Sequence, residues 1–397
     1  MPVRAHTARA FAGTDDTNRK LIREASSGCW KDHRGECMAD QVIVQEKPLR
    51  EFCERVFVKL GVPPEDARVT TDVLVLADLR GIDSHGVARL ARYVTGIKEG
   101  FINPVDRSRI IKETKATALI DGERGLGQVV GKKGMDLAIK KAKETAVGIV
   151  AVRNSNHYGI AGYYSLMALA QDLIGVSMTN AAPLVVPTFG RTSILGTNPI
   201  SLTAPADREK PFVLDMATSV VPRGKVEVYD RLGKPMPLGW AVDETGRGTA
   251  DAKAVLNALA KRLGGGLLPL GGEGEEFSGH KGYGLALLVD VLSGVLSGAA
   301  TGLQVYADEK RPNVGHFFMA IDPAAFRPLA EFTRDMDRLA RELKESPKAQ
   351  GQARIYVHGE KSFARMEKFR KEGIPLNPKV VENLKKIGAD LGVPWHG

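Results

Sequence analysis

The sequence has few cysteines and few aromatic residues, and no long hydrophobic run continues without interruption. Its 397 residues include only three cysteines, Cys29, Cys37 and Cys53, and none of them forms a C-x-x-C pair. This pattern argues against a disulfide scaffold and a zinc ribbon, and it predicts a reducing, cytoplasmic location. The most apolar stretch, from Gly284, is interrupted by Asp290 and by several Gly and Ser residues. It therefore predicts a buried helix and no membrane span.

Motifs of several common protein classes are also missing. The eight histidines include no H-x-x-x-H pair, and the chain has no G-x-S-x-G sequence. We therefore predict neither a zinc site nor a hydrolase nucleophile. The net charge is +9, yet no basic run is interleaved with aromatic residues. This composition predicts an acidic small-molecule partner and no nucleic acid.

The patterns that are present predict a mixed α/β (α+β) fold. Amphipathic helical patterns over 41–115 and 327–397 predict a helical domain to which both ends of the chain contribute. Over 116–326, short apolar runs rich in β-branched residues alternate with helical stretches, which predicts a central α/β domain. Residues 1–40 are polar and irregular, and we predict a flexible extension there.

A glycine-rich loop, GERGLGQVVG at 122–131, follows a strand-like run. The glycines at Gly125, Gly127 and Gly131 are spaced one residue too long for the G-x-G-x-x-G of a Rossmann domain. The next strand-like run ends in Arg153, where an NAD-binding Rossmann domain would have an acid. We therefore predict a non-Rossmann central domain, in which these glycines let the following helix pack closely on the sheet.

The segment RGIDSHGVARL combines two side chains that suit a hydroxy acid. Asp83 or Ser84 is predicted to cap a helix, which would put His85 in its first turn and Arg89 four residues later on the same face. An imidazole can exchange a hydroxyl proton, while a guanidinium binds the neighbouring carboxylate. The alternative is an exposed capping turn with an incidental histidine.

Two more polar positions follow strand-like runs. His157 lies in a loop with Asn154, Ser155 and Asn156, before a predicted helix. Loops at the carboxyl ends of strands bind ligands in α/β sheets, so we predict a functional role for His157. Asp215 ends another strand, where it either caps the following turn or contacts a ribose or a histidine.

Two glycine-containing turns precede helices later in the chain. His280 and Lys281 stand at a predicted helix N-terminus, which suits a phosphate or a carboxylate, although a plain glycine-rich helix start is the alternative. The turn YVHGEK, with Gly359 and Glu360, carries no chemical signal by itself.

In this order, the motifs resemble those of the malate/L-lactate dehydrogenase family of NAD(P)-dependent oxidoreductases. The family also includes sulfolactate and ureidoglycolate dehydrogenases and reductases of cyclic imino acids and of diketogulonate. The match runs from about Val42 to the C-terminus and rests on GIDSHGVARL, NSNHYGIAG, MTNAAPLVVPTFG, GTNPIS, LDMATS, GHKGYGLALLVDVLSG, NVGHFF and HGEKSFARMEKFRKEGIPL.

The resemblance implies hydride transfer between a small 2-hydroxy acid and NAD or NADP, carried out by a homodimer whose central domain binds the cofactor. It implies His85 and His157 as acid/base candidates, and Ser84 and Arg89 as substrate-binding residues. The implied cofactor contacts are Asp215, Met216, Ala217, His280, Lys281, His358, Gly359 and Glu360. A reductase of a cyclic imino acid or diketo acid, and a non-catalytic binding protein on this scaffold, remain alternatives.

Overall fold

Eleven strands and eleven α-helices make up the part of the chain that the computed structural model describes, residues 41–308 and 310–396. The strands are β1 (Val42–Val44), β2 (Arg109–Glu113), β3 (Thr117–Asp121), β4 (Val147–Ser155), β5 (Ile174–Thr179), β6 (Ile200–Ala204), β7 (Phe212–Met216), β8 (Ala241–Val242), β9 (Gly266–Leu267), β10 (Val314–Ile321) and β11 (Ile374–Leu376). The helices are α1 (Glu46–Lys59), α2 (Pro64–Leu79), α3 (Leu90–Lys98), α4 (Gly127–Thr145), α5 (Ala161–Leu169), α6 (Arg223–Leu232), α7 (Ala252–Lys261), α8 (Gly279–Val289), α9 (Leu329–Glu345), α10 (Glu360–Glu372) and α11 (Pro378–Leu391). The predicted flexible extension at 1–40 lies outside the described residues.

Seven of these strands form the central sheet, in the order β2-β3-β4-β10-β5-β6-β7. Only β3 and β4 pair in parallel, and every other neighbouring pair is antiparallel. A Rossmann domain has a mostly parallel sheet, so this mixed sheet is a different architecture. The predicted mixed α/β fold is confirmed.

Helix α4 packs closely on its neighbours through glycines within and just after the loop that resembles a dinucleotide-binding loop. A Cβ atom at Gly127 would lie 2.3 Å from the carbonyl oxygen of Asn156, and one at Gly131 would lie 2.7 Å from the Tyr164 ring. A Cβ atom at Gly134 would lie 2.7 Å from Phe318. Gly127 therefore allows close approach to the loop after β4, and Gly131 allows close approach to α5. Only Gly134, which was not among the predicted glycines, faces a strand of the sheet.

Both ends of the described chain contribute to one helical core cluster. Strand β1 pairs antiparallel with β11, and buried side chains of α1, α2, α3 and α11 pack together beside this pair. Helix α9 instead contacts the turn between β6 and β7, where its buried Asp337 accepts hydrogen bonds from the backbone N–H groups of residues 207–209. The domain boundaries inferred from the sequence remain a prediction.

The apolar stretch from Gly284 is buried on one face only. It forms the C-terminal half of α8 and a π-helical turn, Asp290–Val295. Ala286 and Val289 are fully buried, but the opposite face is exposed at Leu287, Leu288, Val291 and Val295. The prediction of a buried helix is thus correct for only half of its surface. No helix among the described residues is long and apolar enough to cross a membrane.

Candidate active site

The segment that carries His85 and Arg89 forms two short 3-10 turns, Asp83–His85 and Val87–Arg89, before α3 begins at Leu90. Neither the Asp83 nor the Ser84 side chain caps these turns, so the prediction of a capped α-helix is wrong here. The Ser84 hydroxyl instead forms a hydrogen bond with His85 Nδ1 at 2.9 Å.

A buried carboxyl group determines this irregular path. Asp78, near the end of α2, accepts a hydrogen bond from the Val87 N–H at 2.8 Å. A Cβ atom at Gly86 would lie 1.8 Å from Asp78 Oδ1, so only glycine fits between the two turns. Burial raises the pKa of Asp78 well above its usual range. The Asp78–Gly86 contact therefore fixes the turns on either side, which carry His85 and Arg89.

The loop after β4 brings His157 next to His85. The two imidazole rings stack with their centroids 5.5 Å apart and an interplanar angle of 18°. On its other side, His157 Nδ1 lies 2.7 Å from the hydroxyl oxygen of the fully buried Tyr93 and accepts a hydrogen bond from the Gly159 N–H at 3.3 Å. Gly159 has φ +84°, and a Cβ atom there would lie 2.4 Å from Val73.

Burial and positive charge keep both imidazoles neutral. Burial, then Arg89 and then Arg92 lower the pKa of His85 to about 4. Burial also lowers the pKa of His157 well below its usual value, with Arg92 as the strongest charged contributor. By accessible surface, His85 and His157 are both half-buried residues.

The two arginines beside the histidine pair lack carboxylate partners among the described residues. Arg89 Nε donates to the Ser84 carbonyl oxygen at 2.7 Å. Arg92 Nη2 donates to the Tyr306 hydroxyl at 2.5 Å, and its guanidinium carbon lies 5.1 Å from the centre of the Tyr306 ring. The surroundings of the pair are therefore positively charged, which favours an anionic ligand.

Asp215 lies where β7 leaves the sheet, close to the histidine loop. Its Oδ2 accepts a hydrogen bond from the Gly162 N–H at 2.9 Å, in the first turn of α5. Burial raises the pKa of Asp215 to about 6, against that hydrogen bond and the nearby charge of Arg80. The side chain thus accepts from the N-terminal turn of α5, a contact with an earlier segment and not with the turn after β7 that the sequence suggested.

The turn His358–Gly359–Glu360 packs against the same strand. The His358 carbonyl oxygen accepts a hydrogen bond from the Val213 N–H at 3.1 Å, two residues before Asp215. Gly359 has φ +101° and precedes α10. The Glu360 carboxylate accepts from the Val357 N–H at 3.2 Å and pairs with Lys344 and Arg354, so its side chain stabilises the turn itself.

His280 and Lys281 are exposed in the first turn of α8. Gly282 packs against Leu270, whose N–H donates to the Thr218 carbonyl oxygen at 2.8 Å. Met216 pairs with Ile200 in the sheet, and Ala217 follows it. The helix N-terminus therefore reaches the chain just beyond Asp215, Met216 and Ala217.

Comparison with known proteins agrees with this arrangement. The family model described as malate/L-lactate dehydrogenase matches residues 44–385. The chain belongs to this family. It is 54% identical over 353 residues to a malate dehydrogenase of Pyrococcus horikoshii, covering 89% of this chain and 96% of that one. It is 46% identical over 355 residues to an L-sulfolactate dehydrogenase of Methanocaldococcus jannaschii, covering 89% and 98%.

A solved structure of a malate dehydrogenase from Entamoeba histolytica is 40% identical and covers 89% of this chain and 99% of that chain, with a TM-score of 0.87. The predicted family is confirmed, as is the enzyme class, a hydroxyacid dehydrogenase. Membership of a dehydrogenase family implies a nicotinamide cofactor.

The structure of this malate/L-lactate dehydrogenase family member also reveals neighbours that motif reading missed. Tyr93 contacts His157, Arg92 lowers the pKa of both histidines, and Tyr306 contacts Arg92. His316 has its two ring nitrogens 2.9 Å from Ser155 Oγ and 2.8 Å from Thr179 Oγ1, and so ties together the ends of β4 and β5. His316 lies inside the NVGHFF motif, so the sequence did mark its position. Tyr93, Arg92 and Tyr306 belong to no motif that points to their contacts, because these contacts join segments that are distant in sequence.

Proposed function

We propose that this protein transfers a hydride reversibly between a small 2-hydroxy acid and a nicotinamide cofactor, NAD or NADP. The observation that carries the proposal is the stacking of His85 on His157 at 5.5 Å, with Arg89 on the same loop as His85. Acid–base groups next to a guanidinium suit a hydroxyl that neighbours a carboxylate. Similarity to malate and sulfolactate dehydrogenases supports the same substrate class.

The side chains of the segment around His85 have separate roles in substrate binding. Arg89 donates from Nε to the Ser84 carbonyl oxygen, and its terminal nitrogens would bind the substrate carboxylate at two points. The Ser84 hydroxyl orients the His85 ring through Nδ1. The histidine pair exchanges the hydroxyl proton, a contribution of about 10²–10⁴-fold in rate.

Arg92 favours a substrate with a second anionic group, as in malate or sulfolactate. It lies three residues after Arg89, a spacing that brings two side chains to one side of a helical segment. Both arginines lower the pKa of His85, and among the described residues no carboxylate is a resolved contributor to it. Two uncompensated cations suit a dianion better than a monoanion such as lactate.

The residues on the β7 side fit a nicotinamide cofactor. A bound nicotinamide supplies the hydride acceptor and donor. Among the described residues only Gly162 donates to the Asp215 carboxylate, and it does so to Oδ2, so Oδ1 is available to ribose hydroxyls. His280 and Lys281 offer positive charge and helix N–H groups to a phosphate. Met216, Ala217 and the His358–Gly359–Glu360 turn would line the same groove.

We also propose that the active form is a cytoplasmic homodimer. The exposed apolar face of α8 and the turn that follows it includes Leu287, Leu288, Val291 and Val295, at 45%, 42%, 46% and 66% exposure. A contiguous apolar face of this kind is typical of a protein–protein contact. Analytical ultracentrifugation of the wild type and of Val295→Glu tests the proposed dimer. A wild type that is as monomeric as the variant would contradict it.

The proposed reaction is tested by titrating the purified protein with NADH and NADPH, followed by nucleotide fluorescence. Oxaloacetate, sulfopyruvate, pyruvate and a cyclic imino acid are then added separately. Binding of one nucleotide and its oxidation by one 2-keto dianion is the expected result. Turnover of the cyclic imine alone would make the protein an imine reductase, and no nucleotide binding would favour the non-catalytic alternative.

A further inference from the structure

His157 is held by two hydrogen-bond donors on the same ring nitrogen. The Tyr93 hydroxyl oxygen lies 2.7 Å from Nδ1, and the two rings are 6.1 Å apart. The Gly159 N–H donates to the same Nδ1 at 3.3 Å. A backbone N–H cannot accept a hydrogen bond, so Nδ1 must present a lone pair to it.

The backbone donor therefore selects a tautomer. With Nδ1 unprotonated, a neutral imidazole carries its proton on Nε2. A proton on Nδ1 would point at the Gly159 N–H, whose position is fixed because Gly159 adopts φ +84° against Val73. The Tyr93 hydroxyl can donate or accept a hydrogen bond. Because Nδ1 of His157 is unprotonated, the Tyr93 hydroxyl is the donor.

We propose that Tyr93 is a positioning residue, which together with the Gly159 N–H holds His157 as the Nε2–H tautomer. His157 then donates a hydrogen bond to the substrate oxygen on C2, and His85 exchanges the proton. This inference rests on the proposed function. During oxidation the hydroxyl proton passes to His85 Nε2, while the hydride and its electron pair leave as the proposed function states. During reduction His85 returns the proton to the same oxygen.

The two rings differ in the partner at Nδ1. Among the described residues, the charged and titratable groups that face His157 are Tyr93, Arg92, His85, Arg89 and His316. Arg89 and Arg92 also face His85, so charge does not distinguish the two rings, whereas the hydrogen bonds do. Within the described part of the chain, His85 Nδ1 has the Ser84 hydroxyl as its single hydrogen-bond partner, and this hydroxyl can accept from an N–H there. Its Nε2 then offers the lone pair that a proton acceptor needs.

The activity test uses side chains that imitate one role and not the other. Glutamine keeps an N–H donor close to the place of histidine Nε2 but cannot take up a proton. We expect His157→Gln to stay within about tenfold of the wild-type kcat, whereas His157→Leu loses about 10²–10³-fold, the usual effect of removing a donor to a developing oxyanion. His85→Gln should lose about 10²–10⁴-fold. A His157→Gln variant as impaired as His157→Leu would overturn the inference.

A second measurement does not depend on turnover. In protein labelled with ¹⁵N-histidine, two-bond proton–nitrogen correlations distinguish Nε2–H from Nδ1–H rings, and the His157→Gln spectrum identifies the His157 signals among the eight histidines. We expect a pure Nε2–H ring from pH 6 to pH 9 in the wild type. An Nδ1–H ring, or a ring that gains a proton in this range, would contradict the inference even if the dehydrogenase activity is found.

The role of Tyr93 itself is tested by removing its hydroxyl. Tyr93→Phe should lower kcat by about tenfold with KM nearly unchanged, because one net hydrogen bond to His157 is lost. Its spectrum should show a shifted His157 Nδ1 signal, while the Gly159 N–H keeps the ring in the Nε2–H form. Tyr163→Phe is the matched control, since this largely buried hydroxyl donates to Asp72 and not to a histidine. If both variants leave the His157 signals unchanged, Tyr93 has no positioning role. If the wild type turns over no keto acid, the proposed function fails, while the spectra still decide the tautomer.

Discussion

Replacing Asp215 by asparagine tests whether the protein keeps an unfavourable carboxylate at the candidate site. Burial raises the pKa of Asp215 from 3.8 to about 6, against the Gly162 hydrogen bond and the charge of Arg80. Well below pH 3.8 the group is protonated in both the folded and the unfolded state. Between pH 3.8 and about 6 the folded state keeps a proton that the unfolded state releases, so stability falls as the pH rises, and the loss is complete above pH 6.

The full difference between the two pKa values corresponds to about 3 kcal/mol. Asp215 is half-buried by its accessible surface, so we expect solvent to reduce the effect to about 1–2 kcal/mol. Asparagine keeps an oxygen for the Gly162 N–H and loses the charge. Asp215→Asn should therefore raise the free energy of unfolding by about 1–2 kcal/mol at pH 8 and change it little at pH 4.

Urea titrations of the cofactor-free protein, followed by circular dichroism at a fixed protein concentration, measure this difference at both pH values. The same variant should bind the preferred nucleotide about tenfold more weakly, because a charged acceptor for ribose hydroxyls is replaced by a neutral one. A variant less stable than the wild type at pH 8, or a stability difference that is equal at pH 8 and pH 4, would show that the Asp215 carboxylate does not destabilise the fold.

Three further substitutions have defined outcomes. Arg92→Ala should lower kcat/KM for a dianionic substrate by about tenfold or more relative to lactate, while the exposed control Arg68→Ala leaves that ratio unchanged. Gly86→Ala places a Cβ atom 1.8 Å from Asp78 Oδ1. It should lower kcat/KM by about 10²-fold with an unchanged circular dichroism spectrum. Normal kinetics would show that the Asp78–Gly86 contact does not position the two turns. Burial raises the pKa of Asp337, but its three backbone hydrogen bonds lower it by more, so the pKa is lowered overall. Asp337→Asn should thus reduce the free energy of unfolding at pH 7 by about 1–2 kcal/mol. Urea titrations should show this difference disappearing as the pH falls below 3.8, the ordinary pKa of an aspartate, and the carboxylate takes up its proton.

The sequence was most informative where a short motif stays together in space. The order of the motifs predicted the family, and the segment around Ser84, His85 and Arg89 is local enough for its chemistry to be read directly. His157 was predicted from its position after a strand, but its stacking on His85 depends on a fold that brings residues 72 positions apart into contact.

What the sequence could not provide are contacts that bridge distant segments. Asp78 is an ordinary interior position of α2 by pattern, yet its carboxyl group replaces the expected helix with two 3-10 turns. Tyr93 is one apolar position of α3 by periodicity, and only the folded chain shows its hydroxyl at His157. The apolar stretch around Leu288 gave no indication of which face would be exposed, because composition alone does not distinguish a core from an interface.

The most direct test of the account is a single-turnover measurement. Enzyme preloaded with its preferred reduced nucleotide is mixed with oxaloacetate or sulfopyruvate, and the loss of nucleotide absorbance is followed in the wild type, His85→Gln and Arg89→Gln. We expect one rapid turnover in the wild type and a rate about 10²–10⁴-fold lower in His85→Gln, with unchanged nucleotide affinity. Arg89→Gln should need far more keto acid to reach the same rate. Wild-type rates in both variants would contradict the assignment of this site as the catalytic one.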